Sequence, residues 1–593
     1  MQPLTKRTIL AAVAAGIISV PLVIGGPAQA AEAKTIGEIQ GAGHLSSYDG
    51  QEVTDIPGIV TAVGEDGFWL QSIEADDDPA TSEAIFVYTK DAPDVTEKDK
   101  VTVTGTVKEY RAGDADGANL TVTQIMDAEI SADGTGELPE AVKIGEDGLQ
   151  APEKVHTTNP GDVEESGEFD PEANALDFYE SLEGMVVSVS DAQAVSPTSK
   201  HGEISVLPSE TDGVRTERGG IKLTEDDVNT ELLTIDGDLA EMPSVNVGDT
   251  LTGDVVGVMD YDFGIPRIHA FDTPDVESGD LKPEQTDEQG EKLAVATYNV
   301  ENLDPTDDAE TFAAHGETIA KNLQSPDIVA VEEIQDNNGA EDDGTVAADK
   351  TFAQLIEAIS DAGGKDYEYA QIDPENNQDG GEPGGNIRVG FLYDPQRVDF
   401  EAEEGGDATT PVEVGEDGLS FNPGRIAPED EAWDSSRKPL VGEFTYSGEK
   451  VYVVANHFAS KGGDDPIFGR YQPANRSSED QRHQQAELVN EFVQELRQAD
   501  ENANVVVLGD INDFEFSETV EKLTADGALM SGYELIEEQE RYSYIFNGNS
   551  QVLDQALISE NLKEKASLDV VHVNVEFANQ TSDHDPSVLT LQF

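Results

Sequence analysis

Ser582-Asp583-His584-Asp585-Pro586 stands near the C-terminus and leads into a short apolar run that ends close to the last residue. At a strand edge, the carboxylate of an Asp-His pair can ligate a divalent cation while the imidazole donates to a phosphate oxygen. Four more polar signatures sit at the ends of apolar runs upstream: Tyr-Asn-Val-Glu-Asn around Asn299, Glu-Glu-Ile at Glu333, Asn-His-Phe at His457 and Gly-Asp-Ile-Asn-Asp at Asp510. The series predicts a site for a cation and a phosphate group in the C-terminal half.

Around these signatures, apolar runs of strand length alternate with helical patterns. Helices are predicted at 351–359 and 479–499, and the second has one apolar face. Strands are predicted at 293–298, 327–331, 388–393, 451–456, 505–509 and 552–558. An acidic, glycine-rich stretch at 401–432 predicts a surface loop. Together the alternation predicts an α/β domain over 291–593, a β-sandwich flanked by helices.

The polar residues of the signatures fall at the ends of the predicted strands. Five lie just beyond a strand and two just before one, where an antiparallel strand would bring them to the same edge. Ligand sites in α/β sheets gather at such edges, because the backbone is held there but no longer pairs. One such residue could be chance, but seven predict a cleft: Asn299, Glu333, His457, Asp510, Asn512, Asp583 and His584.

Two β-rich blocks precede this domain. Short alternating runs from Thr35 to Met126 favour a small barrel or sandwich, and a second β-rich block spans 175–272. Stretches rich in Pro, Gly and acidic residues separate the blocks and predict linkers. The predicted division is a first β domain at 31–135, a linker at 136–171, a second β domain at 172–272, a linker at 273–290 and the α/β domain.

The composition predicts folded domains with a strongly acidic surface. The chain has 593 residues and a formal net charge of −88, from 35 Lys and Arg against 123 Asp and Glu. Apolar runs recur throughout, which favours a solvated acidic coat over disorder. Because such a coat repels itself until salt screens it, we expect adaptation to a salty medium.

The first 30 residues predict a secretory signal peptide. A short basic start with Lys6 and Arg7 precedes an apolar run, and Ala28-Gln29-Ala30 offers a cleavage site. A membrane anchor is the alternative, but it needs about 20 apolar residues and no cleavage site. Cysteine is absent, so neither a disulfide nor a lipid-modified cysteine can form. We therefore expect a protein that is secreted and released.

Taken together, the ordered signatures over 291–593 resemble the endonuclease/exonuclease/phosphatase superfamily, which includes pancreatic-type deoxyribonuclease and abasic-site endonucleases. The whole chain further resembles secreted bacterial extracellular nucleases that carry OB-like β domains before the catalytic domain. The stretches Glu-Ile-Gln-Gly at 38–41, Gly-Phe-Trp-Leu-Gln at 67–71 and Leu-Asp-Gln at 553–555 fit that resemblance. It implies that the first β domain is OB-like and that the C-terminal domain has the deoxyribonuclease-like fold.

The resemblance also implies the metal ligands. Glu333 would be the principal carboxylate ligand of Mg²⁺ or Mn²⁺, and Asp583 a second ligand or a contact to a metal-bound water. Asn299 would bind the scissile phosphate or support Glu333, and it stands with Asp510 among the candidate ligands. Glu332 occupies a position where relatives usually have Gln. The alternative for Glu333 is one surface acid among many, although it directly ends a buried run.

The acid–base residues implied by the resemblance come next. Asp510 and Asn512 would lie against the attacking water and a phosphate oxygen, with Asp510 orienting or deprotonating that water. His584 would donate to a non-bridging phosphate oxygen. His457 is the other acid–base candidate, and Asp554 matches the position of the carboxylate that would hold its imidazole. A turn or a structural histidine is the plainer alternative in each case.

Cationic and aromatic residues provide weaker candidates. Arg437 matches a family arginine, and Arg388 and Lys461 lie near the signatures, so all three are candidate phosphate contacts. A surface ion pair is an equal alternative for each. Asp76-Asp77-Asp78 could bind a structural Ca²⁺, although a solvated loop is favoured. Four aromatic residues could stack nucleobases or divide between core and surface: Phe68, Trp69, Phe86 and Tyr88.

These features predict a secreted, metal-dependent, salt-tolerant nuclease that cleaves phosphodiester bonds in extracellular DNA, with RNA also considered. Fold alone does not separate this activity from a phosphatase or a phospholipid phosphodiesterase. A phospholipid enzyme should show an exposed aromatic hairpin, and the sequence does not reveal one. A non-catalytic extracellular matrix-binding protein is the third alternative, but it should have lost part of the site.

Overall fold

The computed structural model describes residues 34–593 except 77, 147, 158–159, 167, 209–210, 212, 401–404 and 416–417. The predicted signal peptide at residues 1–30 lies outside the described residues, as does the middle residue of the 76–78 acidic turn. Within these ranges, no helix combines the length and the apolar character needed to cross a bilayer.

The first unit is a closed five-stranded barrel with the strand order β1-β2-β3-β5-β4. β3 and β5 pair in parallel and the other neighbours are antiparallel. Because side chains alternate between the faces of a strand, Phe68 and Leu70 fill the barrel while Trp69 faces outward. The elements are α1 (Ile36–Gln40), β1 (Glu52–Val63), β2 (Gly67–Gln71), β3 (Ala84–Tyr88), β4 (Asp99–Arg111) and β5 (Thr121–Thr135).

The second unit is built on a seven-stranded sheet with the order β14-β12-β13-β11-β9-β8-β6. The elements are β6 (Val142–Ile144), β7 (Gly161–Asp162), α2 (Val163–Ser166), α3 (Ala175–Glu180), β8 (Val186–Ala194), β9 (Ile204–Leu207), β10 (Ile221–Lys222), β11 (Leu233–Asp236), β12 (Thr250–Asp262), β13 (Ile265–Ala270) and β14 (Asp275–Glu277). β6 comes from the segment 136–171 and pairs in parallel with β8. Three-residue strands of this kind leave little periodicity in a sequence.

The C-terminal unit packs two six-stranded sheets face to face. Their orders are β17-β18-β16-β15-β29-β28 and β19-β20-β21-β23-β27-β24. The strands are β15 (Leu293–Leu303), β16 (Ile328–Ile334), β17 (Glu368–Ala370), β18 (Arg388–Tyr393), β19 (Gly424–Arg425), β20 (Leu440–Tyr446), β21 (Glu449–His457), β22 (Tyr471–Gln472), β23 (Asn504–Asp510), β24 (Met530–Ser531), β25 (Tyr544–Phe546), β26 (Asn549–Gln551), β27 (Asp554–Ile558), β28 (Ala566–Val570) and β29 (Ser587–Leu591).

Helices cover the outer faces of these two sheets. They are α4 (Ala309–Glu317), α5 (Asp349–Asp361), α6 (Glu479–Ala499) and α7 (Glu518–Leu523). Phe391 and Phe444 pack edge-on in the core between the sheets, and burying such a ring contributes about 1.5–3 kcal/mol. The layers and the bounds of α6 confirm the predicted sandwich flanked by helices. The chain is therefore multidomain and mostly β, with a barrel first.

The predicted surface loop at 401–432 is partly wrong. Val412 and Ile426 are buried and pack with Trp433 against the α6 side of the second sheet. Gly424–Arg425 also forms the edge strand of that sheet. The segment is mostly acidic residues and glycine, so its sequence did not indicate that Val412 and Ile426 would be buried against the domain.

Two small ladders join the C-terminal unit to the preceding chain. β7 pairs antiparallel with β22, which lies in the loop between β21 and α6. β10 of the second unit pairs in parallel with β26, so β10, β26 and β25 form a three-stranded sheet across the boundary.

Candidate metal and phosphate site

The register of the second sheet brings three of the predicted residues into one row. His457 ends β21 and lies opposite Asp510, which ends the parallel strand β23. Asp510 in turn lies opposite Asp554, the first residue of the antiparallel strand β27. Neighbouring strands are about 4.8 Å apart, so such a row brings the side chains within reach of one another. The three residues are buried at one edge of the sheet.

The first sheet contributes the facing side of the site. Asn299 on β15 donates to Glu333 Oε1 at 3.0 Å and reaches Asp510 Oδ2 at 3.5 Å. The backbone amide of Asn302 donates to Glu333 Oε2 at 2.9 Å. Asn299 therefore links the two sheets and, with Asn302, fixes the carboxylate of Glu333.

Unusual backbone conformations cluster at this edge. Glu301, Asn302, Glu333 and Asn512 all have positive φ, between 48° and 64°. Such conformations cost of order 1–3 kcal/mol each and persist only where surrounding contacts enforce them. At Asn512 the backbone amide donates to Asp510 Oδ1 at 2.8 Å and the side chain donates to Oδ2 at 3.2 Å. These backbone conformations orient the polar groups of the site toward one another, as Asn512 does toward Asp510.

Two overlapping groups of side chains could surround a cation. One comprises Glu333, His457 and Asp510, and the other Asp510, Asp554 and His584, with the ligand atoms of each group within 4.8 Å of one another. Glu333 is the residue of the first group that is partly open to solvent. The first group fits a divalent cation, because it offers two carboxylates in a pocket open on one side.

The predicted pairing of Asp554 with His457 is wrong. Asp554 Oδ2 lies 2.7 Å from Nδ1 of His584, and the hydroxyl of Ser543 donates to the same oxygen at 2.7 Å. The chain turn at 582–586 brings His584 onto the start of β27, which no sequence pattern marks. Among the described residues, Nδ1 of His457 has no hydrogen-bond partner.

The two histidines have opposite electrostatic surroundings. Burial lowers the pKa of His457 well below its usual value, and the nearby charges of Arg437 and His584 add to the effect. Burial also disfavours charge on His584, but the carboxylates of Asp554 and Asp510 outweigh it and raise its pKa well above the usual value. Burial raises the pKa of Asp510 to about 7. The site thus holds a neutral imidazole beside a charged one.

Asp583 lies at the rim of the site. Its side chain is 41% exposed, and Oδ1 lies 4.0 Å from Nε2 of His584. It belongs to neither of the two groups at this site that could surround a cation. Glu301 lies nearby, and burial together with the charges of Asp583 and Glu333 raises its pKa to about 7, while Lys200 of the second unit opposes that rise in pKa.

Glu332 points into the protein beneath the site. It is fully buried, accepts from the Thr297 hydroxyl at 2.8 Å, and its other oxygen has no partner among the described residues. Burial raises its pKa well above the usual value, and the charges of Asp554 and Asp510 act in the same direction. Burial therefore favours the neutral form of Glu332 beneath the cluster.

Two of the three candidate cations adjoin the cluster. Arg437 is buried, donates to the Phe458 carbonyl at 2.5 Å and has a pKa lowered chiefly by burial. Lys461 donates to the Asn512 carbonyl, and burial lowers its pKa to about 8. A pocket of about 720 Å³ opens between Arg437, His457 and Glu333 and the loop that follows β21.

Arg388 is not positioned as predicted. It is buried on β18 and donates to Asp373 at 2.8 Å and to the Asn386 carbonyl at 2.8 Å. This ion pair compensates the buried charge, and it leaves the guanidinium without contact to the described residues of the cluster. The sequence around Arg388 is an apolar strand pattern, and it did not indicate that Asp373 would be the partner of the guanidinium.

The N-terminal candidates are distributed differently. Phe68 is in the barrel core, whereas Trp69, Phe86 and Tyr88 line a cavity of about 1110 Å³ between the barrel and the second unit. Asp76 and Asp78 lie in an exposed turn, where Asp76 Oδ1 accepts from the Asp78 amide at 2.8 Å. Ca²⁺ binding there stays a prediction.

Sequence reasoning missed two residues of the site. Glu301 belongs to the quoted Tyr-Asn-Val-Glu-Asn signature, and its alternation with Asn299 was the available signal. Tyr544 stacks obliquely on His584 with ring centroids 4.8 Å apart. Burial raises the pKa of its hydroxyl, and the charges of Asp583, Asp510, Glu301 and Glu333 add to the rise. Its short strand carried no polar signature.

Two family models match parts of the chain. Residues 421–583 match the Endonuclease/Exonuclease/phosphatase family, and residues 143–278 match a domain of unknown function, DUF8508. The first match contains His457, Asp510 and Asp554 and ends at Asp583. The C-terminal unit is therefore similar to this family. A comparison with curated proteins gives no match.

Solved structures that match this chain cover about half of it. TDP2 of D. rerio in complex with a single-strand DNA product is 17% identical, with 51% of this chain and 99% of that chain covered and a TM-score of 0.33. A mannosyl-6-phosphatase of Bacteroides thetaiotaomicron is 18% identical, covering 51% and 100%, with a TM-score of 0.33. The catalytic domain of human Nocturnin is 14% identical, covering 51% and 95%, with a TM-score of 0.33.

Proposed function

We propose that the chain is a secreted, divalent-metal-dependent nuclease that hydrolyses phosphodiester bonds of extracellular DNA, with RNA as a second substrate to test. The observation that carries this proposal is the convergence of the site. Ligand atoms of Glu333, His457 and Asp510 lie within 4.8 Å of one another, and the Asp554–His584 pair adjoins them. Acids, an amide and two imidazoles of different charge at one edge suit phosphate chemistry.

Glu333 and Asp510 would hold Mg²⁺ or Mn²⁺, with Asn299 between them and Asp583 at the rim. A bound divalent cation would supply charge neutralisation on the phosphate oxygens. The residues themselves fit this use. Asn299 holds Glu333 in place, and Asn512 holds Asp510 through two hydrogen bonds.

The proton chemistry follows from the hydrogen bonds. Asp510 is the proposed base for the attacking water, since its two oxygens are oriented by Asn512 and its surroundings are buried. His584 donates through Nε2 to a phosphate oxygen, because Asp554 holds Nδ1 and stabilises the charged ring. His457 lies 3.5 Å from Asp510 Oδ2 and presents a neutral nitrogen to the same side of the site. Arg437 supports the phosphate position from behind.

The N-terminal units belong to the proposal as well. The barrel order β1-β2-β3-β5-β4 with a parallel β3–β5 closure supports an OB-like fold. The residues 1–30 support secretion, and the formal charge of −88 supports tolerance of salt. We retain the domain division predicted above, with the linker at 136–171 and the second β domain at 172–272.

Action on a phospholipid is the second candidate, and one observation favours it. Phe263 is 63% exposed in the turn between β12 and β13, and Phe546 is 55% exposed at the end of β25. Exposed aromatic hairpins of this kind were not evident from the sequence. Such rings can insert into a bilayer interface. The acidic surface does not separate the two candidates, because DNA and anionic lipid are both negatively charged.

The test uses the mature protein with plasmid, linear DNA, RNA, a phosphomonoester and phospholipid vesicles, each with Mg²⁺, Mn²⁺ or chelator. We expect metal-dependent cleavage of DNA and about a 10²–10⁴-fold loss in His457→Ala. His483→Ala, on α6, is the matched control and should retain activity. Turnover of the phosphomonoester or lipid without cleavage of nucleic acid would overturn the proposal.

A further inference from the structure

Tyr544 lies between the candidate site and the second unit. Its ring packs on His584, and its backbone forms an isolated antiparallel bridge with His584. The preceding residue, Ser543, donates its hydroxyl to Asp554 and accepts the Asp585 amide at its carbonyl, 2.8 Å away. The start of the Tyr544–Gln551 hairpin therefore contacts both members of the Asp554–His584 pair.

The second unit supplies a strand to this hairpin. Ile221 and Lys222 of β10 lie opposite Asn549 and Ser550, and the Leu223 amide donates to the Ser550 carbonyl at 2.9 Å. Asn229 donates to the Asn549 side chain at 2.7 Å in a buried position. An isolated two-stranded hairpin is marginally stable in water, and a third strand gives it support.

The turn of the hairpin also packs on the second unit. Gly548 has φ of 80°, and a Cβ atom there would lie 2.7 Å from Cβ of Ser205 and 3.1 Å from a methyl of Val195. Real Cβ atoms do not approach other atoms that closely, so a side chain at Gly548 would push the hairpin off the second unit. The turn of the hairpin is therefore held closely against the second unit at Gly548.

We propose that the second unit completes the phosphate site by holding the Tyr544–Gln551 hairpin, and that Tyr544 is a further substrate-contacting residue whose hydroxyl donates to the phosphate. This inference rests on the proposed phosphodiesterase function. It gives the domain of unknown function at 143–278 a role as a structural part of the site. Asn229 and Lys222 are positioning residues in this scheme.

The chemistry of a phenol suits this position. Burial raises the pKa of the hydroxyl, and the charges of four carboxylates add to that rise: Asp583, Asp510, Glu301 and Glu333. A lysine or arginine at this position would form ion pairs with these acids instead of binding a phosphate. A neutral hydroxyl donates one hydrogen bond without neutralising the carboxylates that a cation needs. The charge of Lys200, in the second unit, opposes the rise in the pKa of Glu301.

The experiment compares two glycine turns in the full chain. Gly448 lies in the β20–β21 turn with φ of 88°, and a Cβ there meets nothing within 4 Å. Gly548→Ala and Gly448→Ala therefore carry the same backbone strain, but only Gly548→Ala clashes with the second unit. We expect kcat to fall about tenfold in Gly548→Ala at little change in KM, with faster hydrogen exchange over 543–551. Equal losses in both variants would overturn the holding role.

The second arm tests the hydroxyl. Tyr544→Phe keeps the ring and should lower kcat on the order of 10²-fold, whereas Tyr369→Phe, on β17, should not. Binding of inorganic phosphate in the presence of Mn²⁺, measured by calorimetry, should weaken about tenfold in Tyr544→Phe. Full activity or unchanged phosphate binding in Tyr544→Phe would overturn the contact.

The calorimetric and exchange measurements separate this inference from the proposed function. If the wild type binds phosphate through Tyr544 but cleaves no nucleic acid, the nuclease proposal fails and the inference stands. If the wild type cleaves DNA and Tyr544→Phe is unaffected, the reverse holds.

Discussion

Two clusters of acids around a histidine have almost the same composition in this protein. Asp236, Asp238 and His269 lie in the second unit, and Glu333, His457 and Asp510 lie in the C-terminal unit. In both clusters the ligand atoms lie within 4.8 Å of one another. Composition and spacing alone would assign the same role to both.

The first cluster contains its own cations. Arg267 lies 3.2 Å from Asp236, and both ring nitrogens of His269 meet carboxylates, at 2.7 Å from Asp236 and 3.2 Å from Asp260. Burial disfavours charge on His269, but these carboxylates raise its pKa to about 10. The acids are thus balanced from within the chain.

The second cluster lacks that balance. Arg437 donates to a backbone carbonyl rather than to Glu333 or Asp510, and His457 is neutral. Asp510 has the charged His584 at 3.9 Å, but among the described residues no Lys or Arg lies within 4.0 Å of Glu333, so we expect a cation from outside the chain beside Glu333. The comparison teaches that a metal site is identified by uncompensated carboxylates and not by a list of ligand types.

The largest expected effect is a difference between the two clusters when one acid of each is replaced by its amide. Glu333→Gln removes one uncompensated charge and should lower kcat about 10³-fold, equivalent to about 4 kcal/mol of transition-state stabilisation. Asp236→Asn should leave kcat unchanged and lower only thermal stability, because Arg267 and His269 each lose a carboxylate partner. Steady-state kinetics and thermal unfolding of both variants check this. A similar kinetic loss in both would remove the distinction.

His44 extends the comparison to the boundary between the barrel and the second unit. Burial disfavours its charge, but Asp177 at 2.8 Å and Glu180 at 3.2 Å raise its pKa to about 9. A raised folded-state pKa gives stability that is complete below about pH 6.5 and is lost as pH rises through about 9, worth about 3 kcal/mol. Unfolding free energies of wild type and His44→Gln should converge across that window. A constant difference would contradict the charged pair.

A smaller effect is stabilisation by metal. At 100 times its dissociation constant, Mn²⁺ should stabilise the wild type by about 2.7 kcal/mol. The shift should persist in Asp236→Asn, whose cluster is already balanced, and vanish in Glu333→Gln. Thermal unfolding with and without Mn²⁺ measures it. If Asp236→Asn also abolishes the shift, the cation binds at the wrong cluster.

The smallest effect concerns the acidic surface. Nucleic-acid binders usually lose affinity with salt through counterion release. Here screening of a net charge of −88 offsets that loss, so activity should hold or rise from 0.1 to about 1 M NaCl, with changes below about tenfold. Initial rates across the salt series check this. A steady fall from low salt upward would contradict it.

Much of the site could be predicted because the end of a buried strand can be recognised in the sequence as the end of an apolar run. His457 and Asp510 end strong apolar runs, and two adjacent parallel strands place their last residues side by side. Glu333 was predicted in the same way, because it lies at the end of the apolar run that begins at Ile328. The layers of the C-terminal unit came from the same alternation of buried runs and one amphipathic helix.

The partners of these residues could not be predicted, because they depend on register and on chain reversal. Asp554 meets His584 through a turn 30 residues away, so its assignment to His457 was wrong. Arg388 pairs with Asp373 across a connection with no distinctive pattern. Tyr544 depends on β10, more than 300 residues earlier, which has only two residues. Contacts between units leave no periodic trace in either one.

The ladder of β7 with β22 has a consequence for any shortened form of the protein. β22 lies in the stretch of chain that leaves His457 and returns to α6, and Tyr471 and Gln472 bond there to residues 161–162. Cutting the polypeptide before residue 291 would strip one side of that ladder and of the β10–β26 pair. The remaining fragment would lack both pairings, so properties measured on it would not describe the full chain.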